Sequence, residues 1–192
     1  MDKFQDSTAF SCELRIIRAR NVEFNSTGSL FVRCYMSAGN NKRVRFESRE
    51  VSSSNMVWNQ SFSLNCFGTK ESMSNMLFEG TVIFELRQRS TGFSFFGRTG
   101  KSQLVGKADV PWKTVYESST LDIEKWIVMK PKKSLLDGVK PPAVEVGMKV
   151  TGAQAILKHA KNGGAKECGR GCRSLVESEL FALDAALEFS CY

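Results

Sequence analysis

At 192 residues, the chain has room for one well-cored domain of roughly 100 to 150 residues plus an appendage; its 42% hydrophobic and 24% charged residues exclude a disordered or fibrous chain. No run approaches the roughly 20 consecutive apolar residues that span a bilayer, and the acidic first eight residues do not read as a secretory leader, so the expected compartment is the cytoplasm. The net charge of +7 is carried by the part before residue 152, since the remaining segment holds five basic and five acidic residues; that excess favours anionic partners, whether lipid headgroups, nucleic acid or acidic proteins.

Period-two alternation of apolar side chains, bounded by Gly, Ser, Asn and Pro clusters, recurs along the chain as half-buried antiparallel strands require. In chain order the predicted strands are Cys12 to Arg18, Leu30 to Met36, Arg43 to Val51, Val57 to Cys66, Gly80 to Arg87, Gln103 to Val110, Glu124 to Met129 and Ala143 to Val150. Eight short strands predict an all-β antiparallel sandwich or barrel over residues 10–151. Trp58, Phe62, Leu64, Val82, Phe84 and Leu86 are core candidates, and Cys12, Cys34 and Cys66 fall in the same alternating segments as buried, reduced thiols. Beyond the strands, 152–173 reads as a basic, Gly-rich linker. The Ser174-x-x-Glu177 capping box then opens an amphipathic helix over 174–190, with Val176, Leu180, Leu183 and Leu187 on one face.

Several motifs, in order and spacing, carry a family likeness over about residues 10–151. Cys12-Glu-Leu-Arg-Ile-Ile-Arg-Ala-Arg-Asn-Val22 resembles the first strand of C2 domains, and Gly28-Ser-Leu-Phe-Val-Arg33 a degraded form of their Ser-Asp-Pro-Tyr-Val-Lys. Val57-Trp-Asn-Gln-Ser-Phe62 is close to Pro-x-Trp-Asn-Glu-x-Phe, and Val82 to Leu86 followed by Leu104-Val-Gly106 resembles the later strand and its Ile-Gly turn. The chain is most similar in flavour to small single-domain plant C2 proteins. The resemblance implies an eight-stranded C2-like sandwich that docks on membranes or proteins.

Calcium needs 6 to 8 hard oxygen ligands, which C2 domains that bind it supply from about five loop carboxylates. The resemblance places Glu23, Ser29, Gln88, Ser90 and Gln103 at those positions, and Glu23 alone is a carboxylate. No metal and no cofactor are therefore expected, and docking is expected to be independent of calcium.

Basic and aromatic residues stand in the third loop instead: Arg87, Arg89, Phe93, Phe95, Phe96, Arg98 and Lys101. Such a loop can insert its rings at the headgroup boundary while its cations meet phosphate; the alternative is that the three phenylalanines pack back onto the domain edge. A second candidate surface comes from alternation, which puts Arg43, Arg45 and Arg49 opposite Val44 and Phe46, and Arg33 beside Tyr35 on the outward side of its strand. If those strands are neighbours, the arginines share a face similar to the phosphoinositide site of the C2 family. The alternative is a solvated face partly neutralised by Glu47 and Glu50. Both surfaces point to phosphatidylserine or phosphoinositide membranes, on the cytoplasmic face of the plasma membrane, in a signalling or trafficking adaptor. A protein-interaction module is the other reading, with a partner bound through the sandwich or the tail helix.

Enzymatic chemistry has no support in the sequence. Gly97-Arg-Thr-Gly-Lys-Ser102 ends like a phosphate-binding loop, but residue 95, where that pattern needs Gly, is Phe. The one histidine, His159, lies beyond the predicted strands, so no Ser-His or Cys-His pair forms among them. Cys168 and Cys172 cannot alone close a zinc tetrahedron, and Cys191 is not placed as a prenylation box. No nucleic-acid-reading motif accompanies the basic residues, and nucleic acid is not an expected partner.

Overall fold

The computed structural model describes residues 7–22, 28–37, 43–52, 54–90, 102–132 and 138–153. Each predicted strand segment is found, with boundaries shifted by a few residues: β1 (Ser7–Arg20), β2 (Gly28–Ser37), β3 (Arg43–Glu47), β4 (Val51–Ser52), β5 (Val57–Thr69), β6 (Thr81–Ser90), β7 (Ser102–Pro111), β8 (Asp122–Val128), β9 (Lys130–Pro131) and β10 (Ala143–Thr151). Two helices interrupt them, α1 (Lys70–Glu79) and α2 (Lys113–Tyr116). Predicted as one strand, Arg43 to Val51 divides into β3 and β4. At the division Ser48 is buried, its hydroxyl accepting from the Val32 amide at 2.9 Å.

The strands form two antiparallel sheets. The smaller has the order β5-β1-β10-β8; the larger runs β3-β2-β6-β7-β9, with β4 also pairing β2. Inward side chains of both sheets meet in one core that includes Leu14, Ile16, Val32, Phe62, Phe84, Leu86, Val146 and Met148. Trp58, Phe62, Leu64, Val82, Phe84 and Leu86 are all buried there, each aliphatic or Phe side chain contributing about 1.5 to 3 kcal/mol. Cys12, Cys34 and Cys66 lie in the same core as free thiols.

The Trp58-Asn59 pair has a local reason. Asn59 adopts φ 45°, a left-handed conformation that asparagine tolerates, and the buried Trp58 donates its indole N–H to the Arg49 carbonyl at 3.0 Å. Gly106 is required by the crossing of β9, because a Cβ there would stand 2.7 Å from Met129 Cβ.

Helix α1 is absent from the strand-based reading. Thr69 caps it by accepting from the Ser72 amide at 3.2 Å, and Met73 and Leu77, four residues apart, enter the core. Gly152 and Ala153 follow β10, Ala153 being buried; the rest of the predicted linker and the 174–190 helix lie outside the described residues.

Candidate docking surface

Antiparallel pairing of β2 with β3 aligns Arg33 with Glu47, Tyr35 with Arg45 and Ser37 with Arg43, so the expected neighbour relation holds and these residues share the outer face of the larger sheet. Their charges are not equally available. Arg33 is only 17% exposed and gives a 2.8 Å hydrogen bond to Glu47. Burial opposes its charge, but bonding to Tyr35 and attraction to Glu47 outweigh it and raise the guanidinium above its ordinary pKa. Arg45 is 60% exposed, with Glu47 3.8 Å away. Arg43 is exposed and has no ion-pair partner among the described residues.

Arg49 departs from the expected face. Its guanidinium turns to the other sheet and donates to the Trp58 carbonyl at 2.6 Å, while its amide donates to Gln60 Oε1. β3 and β4 both run antiparallel to β2, but their register on it shifts by one residue between Glu47 and Val51, so the alternation that aligns Arg43 and Arg45 does not carry on to Arg49. Arg49 is therefore a clamp between the two sheets and not part of the basic face.

Arg87 and Arg89, expected in the third loop, are instead on β6, which extends to Ser90, and both are matched. Arg87 pairs with Glu85 at 2.7 Å and donates to the hydroxyl and carbonyl oxygens of Ser102. Arg89 pairs with Glu50 at 2.6 Å and lies 5.2 Å from the Phe31 ring centroid. Phe93, Phe95, Phe96, Arg98 and Lys101 lie outside the described residues, as does Glu23.

Pairings Leu30 with Gln88, Ser29 with Arg89, Gly28 with Ser90 and Gln88 with Gln103 bring the described positions of the degraded ion site to one end of β2, β6 and β7. None is a carboxylate. The carboxylate that does reach this end is Glu50, which sequence reasoning placed with the Arg43 face; it accepts from the Ser29 hydroxyl and is neutralised by Arg89. Among the described residues, no cluster of three or more His, Cys, Asp or Glu side chains could hold a metal.

The register also fixes distance. Arg43 pairs at Ser37 and Arg89 at Ser29, eight residues apart along β2; at about 3.4 Å per residue this is roughly 27 Å. The exposed arginines therefore stand at the opposite end of the sheet from the third loop.

The outer face of the smaller sheet carries a cluster that the sequence reading missed. A bulge at Ile17 keeps Arg18 and Arg20 both facing outward. The row Val57, Arg18, Glu145, Trp126 then crosses β5, β1, β10 and β8, with Arg20, Ala143 and Val128 in the next row. Arg18 pairs with Glu145 at 2.6 Å, and the guanidinium carbons of Arg20 and Arg18 lie 4.0 and 5.4 Å from the Trp126 ring centroid. Such stacking contributes about 0.5 to 1 kcal/mol at an exposed site. Further from the loop end, Arg15 crosses Gly147 to meet Asp122 at 2.7 Å, and a Cβ on Gly147 would collide with its guanidinium. The available signal was Trp126 in an alternating segment, outward of buried Ile127.

No described helix is long and apolar enough to cross a membrane. By sequence, no family model and no curated protein matches the chain. Among solved structures it superposes on CC2D1B, with TM-score 0.59 and 14% identity, covering 80% of this chain and 59% of that one. It also superposes on human GIVD cytosolic phospholipase A2, with TM-score 0.52 and 13% identity, over 75% of this chain and 16% of that one. A third match is the SMP domain and paired C2 domains of Extended-Synaptotagmin 2, with TM-score 0.50 and 15% identity, over 75% of this chain and 28% of that one. The chain thus spans less than two thirds of each. At these identities the likeness is one of fold, and the fold is that of a C2-type sandwich.

Proposed function

We propose that this C2-type sandwich is a binding module, not a catalyst, that docks peripherally on anionic membranes without calcium, as part of a signalling or trafficking adaptor. The observation that carries the reading is the pair Arg43 and Arg45, exposed on β3, the edge strand of the larger sheet, with one carboxylate 3.8 Å from Arg45 and none paired with Arg43 among the described residues. Phosphate suits such a surface because guanidinium binds it through paired hydrogen bonds. Each basic residue near an anionic surface contributes about 1 kcal/mol. Phosphatidylserine or phosphoinositide on the cytoplasmic leaflet, at the plasma membrane, supplies the phosphate.

Independence from calcium is supported by the chemistry of the loop end. Ser29, Gln88 and Gln103 bring no charge, and Glu50 is already matched by the guanidinium of Arg89. A divalent ion there would have to displace an internal cation.

The test is charge reversal. Arg43→Glu with Arg45→Glu is expected to weaken sedimentation of the full chain with phosphoinositide vesicles, in chelator, by at least about tenfold. Binding equal to that of the unaltered protein contradicts the assignment of this face. Arg33→Gln serves as a contrast, since its charge is already held by Glu47.

A further inference from the structure

We propose that the Trp126, Arg18 and Arg20 cluster is a second contact for an anionic bilayer, on the face of the sandwich opposite Arg43 and Arg45, so that one molecule can bridge two membranes. The inference rests on the membrane reading above and adds a surface to it. Its basis is placement. Arg20 is the last residue of β1 and Trp126 lies two residues before the end of β8, both at the end of the smaller sheet where the β1-to-β2 connection leaves.

The chemistry selects an anionic, amphipathic surface. Arg18 is matched by Glu145, but Arg20 has no carboxylate partner among the described residues, so a cation is left over, held over an indole ring with its guanidinium carbon 4.0 Å from the ring centroid. Val57 and Val128, 37% and 61% exposed, flank the pair on the same face. Tryptophan, arginine and small apolar side chains at one level are what the boundary between headgroup and acyl chain accommodates. Because the two sheets of a sandwich turn their outer faces in opposite directions, a flat bilayer that meets Arg43 and Arg45 cannot also meet Arg20 and Trp126.

The chain offers its own probe. Of its three tryptophans, Trp58 and Trp112 are fully buried and Trp126 is not. The full chain is mixed, in chelator, with phosphatidylcholine and phosphatidylserine vesicles carrying brominated acyl chains, and fluorescence, sedimentation and vesicle clustering are followed. The expected result is quenching of an emission component that is missing in Trp126→Phe, together with clustering. Arg20→Glu is expected to abolish clustering and lower the quenching at least about fivefold while sedimentation persists through the other face. Arg43→Glu with Arg45→Glu is likewise expected to abolish clustering, but to lower the quenching only in proportion to the protein that no longer sediments. Sedimentation without quenching of Trp126 overturns this inference, leaves the first membrane surface standing and assigns the cluster to a protein partner instead. Clustering that survives both sets of reversals overturns the bridging. Absence of sedimentation from every vesicle removes the membrane reading itself, and this inference with it.

Discussion

At the scale of single residues, the arginines divide by partner. Arg33, Arg87 and Arg89 have carboxylates within hydrogen-bonding distance, and Arg49 holds a backbone carbonyl, whereas Arg43, Arg45 and Arg20 face solvent with weak or no pairing among the described residues. Alternation placed Arg33 on the outward side of its strand and Arg43 and Arg45 on one face of theirs, and the pairing of β2 with β3 then brings the three onto one face. Alternation carried no account of neutralisation, which depends on register: Glu47 sits between Arg33 and Arg45 only because β2 and β3 pair as they do. The core thiols yield a prediction at this scale. Burial pushes the Cys34 thiol well above its ordinary pKa. In the unfolded chain that thiol ionises near about pH 8.5, so its stabilising contribution is complete below that pH and falls as pH rises, by about 1.4 kcal/mol per unit until the folded-state thiol itself ionises. Urea unfolding between pH 7 and 10 is expected to give a steeper loss of stability for the protein than for Cys34→Val. Parallel curves contradict it.

At the scale of elements, the strands were legible because one face of each is buried and the apolar period of two is unbroken. Helix α1 was not, although its signals were present in Thr69 as a cap and in Met73 and Leu77 at helical spacing. Ten residues between two strong strand patterns read as a connection when only alternation is counted. The same limit hid the Trp126 cluster, which is assembled from four strands that are not consecutive in sequence and depends on a bulge in β1. The α1 cap gives an element-scale prediction. Thr69→Ala removes the acceptor for the Ser72 amide and is expected to cost about 1 kcal/mol, lowering the thermal midpoint by roughly 2 to 5 °C. Thr69→Ser, which keeps the oxygen, is expected to retain most of that stability. Equal midpoints for Thr69→Ala and the unaltered protein in a calorimetric scan contradict the capping role.

At the scale of the whole molecule, the sandwich places its exposed arginines on different sheets. Arg43 and Arg45 lie on the larger sheet, far along β2 from the third loop, and Arg20 with Trp126 lies on the smaller sheet at the loop end. The matched pairs between these places, Arg89 with Glu50, Arg87 with Glu85 and Arg15 with Asp122, leave little net charge. Arg43 with Arg45, and Arg20, therefore stand on two separated surfaces among the described residues, while the exposed Lys130, Lys132 and Lys140 carry further positive charge. The central claim is that anionic membranes are bound without calcium. Its most direct test is sedimentation of the full chain with neutral, phosphatidylserine and phosphoinositide vesicles, each with calcium and with chelator. The account predicts retention on the anionic vesicles, equal in calcium and chelator, and none on the neutral ones; binding that requires calcium, or no binding to any anionic vesicle, would contradict it.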